Sequence, residues 1–157
     1  MRLSMRSGPV IVMQLSKKRI FLINQKQSLM YSVLLVEDDE FVCKAIEIIL
    51  RKQDYIISIA RNGQDAMQYL QKSKFDLVIT DLMLPYANGM ELVSKMRNEL
   101  HLDIPILVLS AVTHEKTITE GFDIGVDDYL KKPFNPAELS SRVKRLIQQK
   151  EKNHLIH

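Results

Sequence analysis

Residues 76–85 read Asp76-Leu77-Val78-Ile79-Thr80-Asp81-Leu82-Met83-Leu84-Pro85, and this stretch decides the fold. Its β-branched centre, Val78-Ile79-Thr80, predicts a buried strand that ends on a carboxylate, Asp81. Pro85 and then Asn88-Gly89 mark the turn that follows. A carboxylate at the carboxyl end of a buried parallel strand faces the crevice in which open α/β sheets bind ligands. A lone aspartate there also serves ordinary turn chemistry, so its meaning depends on what the neighbouring segments deliver.

Upstream, Ser32-Val33-Leu34-Leu35-Val36 is a near-continuous apolar run, the pattern of a strand covered on both faces, and Glu37-Asp38-Asp39-Glu40 ends it. Phe41, Val42, Ala45, Ile46, Ile49 and Leu50 then recur at helical spacing. Tyr55–Ala60 reads as a second strand, and Asn62-Gly63 turns into a helix carrying Ala66, Met67 and Leu70. Downstream of Asp81, a helix from Gly89 to Asn98 buries Met90, Leu92, Val93 and Met96. Ile106–Leu109, entered through Pro105, is the fourth strand and ends on Ser110-Ala111. A helix over His114–Ile124 is stopped by Gly125 in the left-handed position usual for a helix end. Asp128-Tyr129-Leu130 is the fifth strand, and Lys131-Lys132-Pro133-Phe134 leads to a last helix. That helix has Asn135 as cap, Pro136 in its first turn, and Leu139, Val143, Leu146 and Ile147 on its apolar face. The polar tail Gln148–His157 is expected to fray. Five strands alternating with five helices imply an α/β fold, a parallel sheet with helices on both faces.

Composition bounds the function. The single cysteine, Cys43, rules out an internal disulfide and a cysteine zinc site; it fits a reducing, cytoplasmic setting and sits where a core residue belongs. The net charge of +3 comes from residues 1–30, which hold Arg2, Arg6, Lys17, Lys18, Arg19 and Lys26 and no acid. The remainder carries 16 basic against 19 acidic residues, a balance that argues against nucleic-acid binding by the folded body. The apolar pieces of the basic arm, Val10–Met13 and Ile20–Ile23, are too short for a secretion signal or a membrane anchor. The arm, residues 1–30, is therefore expected to be a disordered extension or the product of a start placed upstream of Met30.

The polar residues at the strand ends form a pattern. The first strand delivers Glu37, Asp38 and Asp39, the third Asp81, the fourth Ser110 and the fifth Lys132. Each has a plain structural reading: acids capping the next helix, a turn serine, a solvated lysine like its neighbour Lys131. Together, in a doubly wound sheet, they converge on one crevice. Several carboxylates in one place call for a cation, and hard oxygen ligands suit Mg²⁺. A lysine and a hydroxyl beside them can hold the oxygens of an anion, and a carboxylate can itself accept a phosphoryl group.

Val36-Glu37-Asp38-Asp39, Thr80-Asp81-Leu82-Met83-Leu84-Pro85 with Gly89, Leu109-Ser110-Ala111 and Asp128-Tyr129-Leu130-Lys131-Lys132-Pro133-Phe134 resemble the receiver domain of two-component response regulators. The resemblance covers residues 31–150, and Gly125-Val126-Asp127-Asp128-Tyr129-Leu130 is most similar to OmpR/PhoB-type receivers. It implies a flavodoxin-like, CheY-like sheet of order 2-1-3-4-5. It further implies that Asp81 is the phosphoacceptor, and that Glu37 and Asp38 hold Mg²⁺ together with Asp81 and the backbone carbonyl of Met83. Ser110 becomes the switch hydroxyl, Tyr129 the aromatic that moves with it, and Lys132 the contact to the phosphoryl oxygens, with Lys131 outside the site and Asp39, one residue beyond the acidic pair, ranking behind it as a ligand. A cis Lys132–Pro133 peptide is expected on the same ground.

The function so implied is that of a signalling domain rather than an enzyme. It takes a phosphoryl group from a histidine kinase or a histidine phosphotransfer protein and switches the binding of a downstream protein. The sequence leaves open whether it is an output protein or a relay intermediate. Residues 151–157 read as a tail with no output domain, so direct DNA binding is not expected and a truncated transcriptional regulator is an alternative. A Mg²⁺-dependent aspartyl-phosphate phosphatase is another, but such enzymes place an acid two residues after the nucleophile, where this chain has Met83. A pseudo-receiver is a third, against which Glu37, Asp38, Asp81, Ser110 and Lys132 all speak. Receivers of the resembling type pair through the fourth helix, fifth strand and fifth helix. This chain keeps Asp127, Asp128, Arg142 and Arg145 of that charged set but has Ile118 and Glu120 on the fourth helix, with Lys116 and His114 as its basic groups. A mostly monomeric domain, at most weakly dimeric, is expected.

Overall fold

The computed structural model describes residues 14–18, 30–111 and 114–154. The chain divides into two units, Met1–Met30 and Tyr31–His157. In the first, residues 14–18 form a helical turn with exposed side chains, and the expectation for the rest of the arm lies outside the described residues.

The second unit runs β1 (Ser32–Val36), α1 (Glu40–Arg51), β2 (Ile56–Ala60), α2 (Gly63–Lys72), β3 (Leu77–Asp81), α3 (Gly89–Asn98), β4 (Ile106–Ser110), α4 (Glu115–Ile124), β5 (Asp128–Lys131) and α5 (Pro136–His154). The five strands form one parallel sheet of order β2-β1-β3-β4-β5, the flavodoxin-like arrangement. A two-stranded antiparallel hairpin, Met83–Leu84 with Ala87–Asn88, lies between β3 and α3 and was not foreseen from the sequence.

Alternation along the strands splits the core in two. Val33, Leu35, Leu77, Ile79, Leu107, Leu109 and Leu130 face α1 and α5, where Ile46, Leu50, Leu139 and Val143 meet them. Leu34, Val36, Val78, Ile106 and Val108 face the other way, onto Ala66, Leu70, Leu92, Val93 and Met96. All five residues of β3 are buried. Truncating a fully buried residue such as Ile79 to alanine removes about 2–5 kcal/mol. A strand anchored this firmly on both faces gives Asp81, at its end, a fixed position.

The helices begin where short polar side chains meet their free amides. Asp39 accepts from the N–H groups of Phe41 and Val42, Asn62 from Asp65, Asn88 from Met90, and Asn135 from Ala137. Gly125 ends α4 with φ of +117°, and the Arg97 guanidinium donates to its carbonyl. The C-terminal expectation needs correcting: α5 continues to His154, so residues 148–154 are helical and only 155–157 lie outside the described residues. Tertiary anchors explain this. Lys150 donates to Asp76 and the Phe75 carbonyl, and Tyr31 donates to Glu151.

Candidate functional site

At the carboxyl end of β1 the backbone is still held by the sheet, Glu37 N–H donating to the Ala60 carbonyl at 3.0 Å. The Glu37 side chain is fully buried and takes the Asp39 N–H at 3.1 Å. Asp38 is exposed on the crevice side, while the Asp39 carboxylate is engaged as the cap of α1. The four-acid run therefore serves both of its readings, different residues taking each.

Asp81 closes β3 and is buried, its Oδ1 accepting from the Met83 N–H at 3.0 Å. Met83 itself is exposed in the hairpin. The chain then turns back over Asp81 so closely that a Cβ at Gly89 would stand 2.2 Å from the Asp81 carbonyl oxygen. Glycine is required at 89 for that approach, a constraint the sequence showed only as an Asn-Gly turn.

Lys132 joins the two strand ends. Its Nζ donates to Glu37 Oε2 at 2.6 Å and to Asp81 Oδ2 at 2.7 Å, while Lys131 points outward. The Lys132–Pro133 peptide is cis, as expected. Burial works against the Lys132 charge, yet its hydrogen bonds to Asp81 and Glu37 outweigh that and hold the ammonium above the ordinary lysine range. Burial pushes the Glu37 carboxyl above the usual carboxylate range, against the pull of Lys132, with the Asp81 charge adding to the rise.

Ser110, the buried last residue of β4, accepts the Lys132 N–H on its carbonyl at 2.8 Å, which sets the end of β5 beside the end of β4. Tyr129 lies half-buried earlier in β5, its ring edge-on to Phe122 at 5.2 Å and its hydroxyl 3.9 Å from Met90 Sδ. Burial pushes its phenol up to about 12. Phe41, counted from its spacing on the apolar face of α1, is instead exposed, because it sits in the first turn of α1 just past its Asp39 cap; Met83 and Tyr86 are exposed as well.

Glu37, Asp38 and Asp81 each offer a carboxylate oxygen, and these oxygens lie within 4.8 Å of one another. On an octahedral Mg²⁺ with bonds of about 2.1 Å, adjacent ligands stand about 3.0 Å apart and opposite ones about 4.2 Å, so these oxygens would draw in toward the ion, and hard carboxylate oxygens are the donors that ion takes. Three acids against one lysine also leave negative charge for it to neutralise.

The response regulator receiver domain profile matches residues 33–144. The chain belongs to the response regulator receiver family. This receiver is 42% identical over 118 residues to the protein described as probable transcriptional regulator ycf29 of Porphyra purpurea, covering 74% of this chain and 56% of that one. It is 34% identical over 117 residues to the transcriptional regulatory protein SrrA of Staphylococcus aureus, covering 74% and 48%. The chain thus spans about half the length of the curated relatives it matches. Among solved structures, the chemotaxis response regulator CheY4 of Vibrio cholerae superposes with a TM-score of 0.70 at 31% identity, over 74% of this chain and 98% of that one. The receiver is accordingly a signalling domain of two-component systems. Among the described residues no helix is long and apolar enough to cross a membrane.

Proposed function

We propose that this receiver accepts a phosphoryl group on Asp81 from the phosphohistidine of a histidine kinase or a histidine phosphotransfer protein, and that the modified domain binds a downstream protein. One observation carries the reading: the Lys132 ammonium bridges Glu37 and Asp81, at 2.6 and 2.7 Å, where three strand ends meet. In the transfer, a carboxylate oxygen of Asp81 forms the new bond to phosphorus as the bond from phosphorus to the donor imidazole nitrogen breaks, and the imidazole takes up a proton. Lys132 turns to the incoming phosphoryl oxygens and offsets their charge, and the Ser110 hydroxyl donates to one of them. Glu37, Asp38, Asp81 and the Met83 carbonyl are the residues assigned to Mg²⁺, which when bound neutralises the crevice and the phosphoryl oxygens. Asp39 and Lys131 have no part in this. Met83 at the second position after Asp81 supplies no acid for onward hydrolysis, so a phosphatase acting on outside substrates is not favoured.

The output side of the proposal is a mostly monomeric domain acting in the cytoplasm. The charges expected to bridge two copies are engaged within the chain: Asp128 with Arg142 and Arg145, and Asp127 with Arg97. Ile118 on α4 is half-buried and Lys116 faces Glu120, so α4 offers few groups for cross-chain pairing. Light scattering of the beryllofluoride-treated protein at micromolar concentration is expected to give a monomer mass; a stable dimer reverses this part.

Acetyl phosphate with Mg²⁺ tests the central step. Intact mass is expected to show one phosphoryl adduct in the parent and none in Asp81→Asn, and labelling is expected to vanish in excess EDTA. A full adduct on Asp81→Asn sinks the assignment.

A further inference from the structure

The tyrosine assigned to switching sits in a seat made by a glycine. A Cβ built at Gly121 would lie 1.5 Å from Tyr129 Oη, 2.8 Å from its Cζ and 2.6 Å from Met90 Cε. Carbon contacts are normally about 3.5–4.0 Å, so the phenol fills the volume any other side chain at 121 would need. Nothing in the backbone asks for glycine here. Gly121 lies inside α4, and the positive φ among the glycines belongs to Gly125. Inside a helix glycine is about 1 kcal/mol worse than alanine. Its value at 121 is therefore spatial. The carbonyl of Gly121 accepts from the N–H groups of Gly125 and Val126, bonds that a substitution leaves untouched. Of the two side chains in the way, Met90 meets the new atom only with its terminal methyl, whereas Tyr129 meets it with the rigid end of its ring.

We propose that Gly121 is a positioning residue that sets where Tyr129 rests: its missing side chain is the seat of the phenol in α4, and a single methyl at 121 drives the ring out into solvent while the rest of the fold stays in place. The population of the two ring positions is thereby biased without any chemistry at Asp81, as a small differential contact shifts a two-state element. The claim rests on the phosphoacceptor reading only in treating Tyr129 as a switch. The steric coupling stands apart from it.

A cycle of four proteins tests it: parent, Gly121→Ala, Tyr129→Ala and the double variant. In the Tyr129→Ala background Gly121→Ala is expected to raise Tm, because only helix propensity remains. With Tyr129 present the same change is expected to lower Tm or leave it flat. Fluorotyrosine NMR supplies the second readout. The Tyr129 resonance, identified by its loss in Tyr129→Phe, is expected to take on the solvent isotope shift of an exposed ring in Gly121→Ala. An equal Tm change in both backgrounds, or an unmoved resonance, overturns the proposal. Should Gly121→Ala fail to fold, a folded double variant supports the seat and an unfolded one overturns it. Failure of the phosphoacceptor reading would show instead as a missing adduct on the parent, whatever position 121 does.

Discussion

Two acidic clusters flank the sheet, and they are built to opposite ends. At the start of β5 the buried Asp128 is clamped by two arginines. Arg142 Nη1 lies 2.9 Å from both carboxylate oxygens and Arg145 Nη2 2.5 Å from one, while Glu138 braces Arg142 at 2.7 Å. Two acids face two arginines, and no charge is left over. At the end of β3, Asp81 shares one lysine with Glu37, and Asp38 stands beside them. The same residue types make a brace in one place and a demand for cations in the other. Acid content does not distinguish them; the ratio of acids to bases does, together with Glu37 being buried where water cannot relieve it.

The largest expected effect breaks the unbalanced cluster. Lys132→Ala removes the ammonium held between Glu37 and Asp81 and is expected to slow labelling by acetyl phosphate about 100-fold, the size of losing one preorganised electrostatic donor. Lys131→Ala, at the exposed neighbour, is the control and is expected to label like the parent. Next comes the balanced cluster: Asp128→Ala takes the acid away from Arg145 and leaves Arg142 with Glu138, both arginines keeping partial access to solvent, and is expected to lower stability by about 2 kcal/mol in urea without changing the slope of the transition. Phosphoacceptor chemistry is expected to survive that change. Mg²⁺ at a tenfold excess over its Kd is then expected to stabilise the parent by about 1.4 kcal/mol, seen as a higher Tm, and to do nothing for Asp38→Asn. Equal Mg²⁺ effects in both proteins would erase the distinction between the clusters.

The smallest effect reports on the quiet side of the site. Burial raises the Tyr129 phenol to about 12, above its value of about 10 in the unfolded chain. The sign follows from the neutral form being the one favoured by the fold. Its contribution to stability is complete below pH 10 and fades as pH climbs toward 12. Absorbance titration of the parent against Tyr129→Phe is expected to show the missing tyrosine as a late-titrating one.

The fold was legible because β1 to β4 are short β-branched or leucine runs each followed or closed by a polar residue, and the helices carry one apolar face. The convergence of Glu37, Asp38, Asp81 and Lys132 was legible for the same reason: in a parallel sheet every strand ends at the same side. What escaped depends on contacts between distant residues. The helicity of residues 148–154 hangs on Lys150 reaching Asp76 and on Tyr31 reaching Glu151, neither of which has a local signature. Asp128 and its arginines looked like groups awaiting a second chain, since composition cannot say that β5 and α5 lie close enough to satisfy each other. Gly89 and Gly121 read as turn and helix residues, and only coordinates show what each makes room for.

The anchoring of α5 has a consequence for how such a domain can be wired. Through the Tyr31–Glu151 and Lys150–Asp76 contacts, the residue that leads into β1 and the last turns of α5 are fastened side by side. They sit at the amino ends of the strands, one five-residue strand length or roughly 16 Å from the crevice. Neighbouring ends at one pole make a plug-in geometry. A short linker can close Tyr31 to Glu151 and new termini can be opened elsewhere, or the whole unit can be spliced into a surface loop of another protein, with the acidic crevice left facing outward.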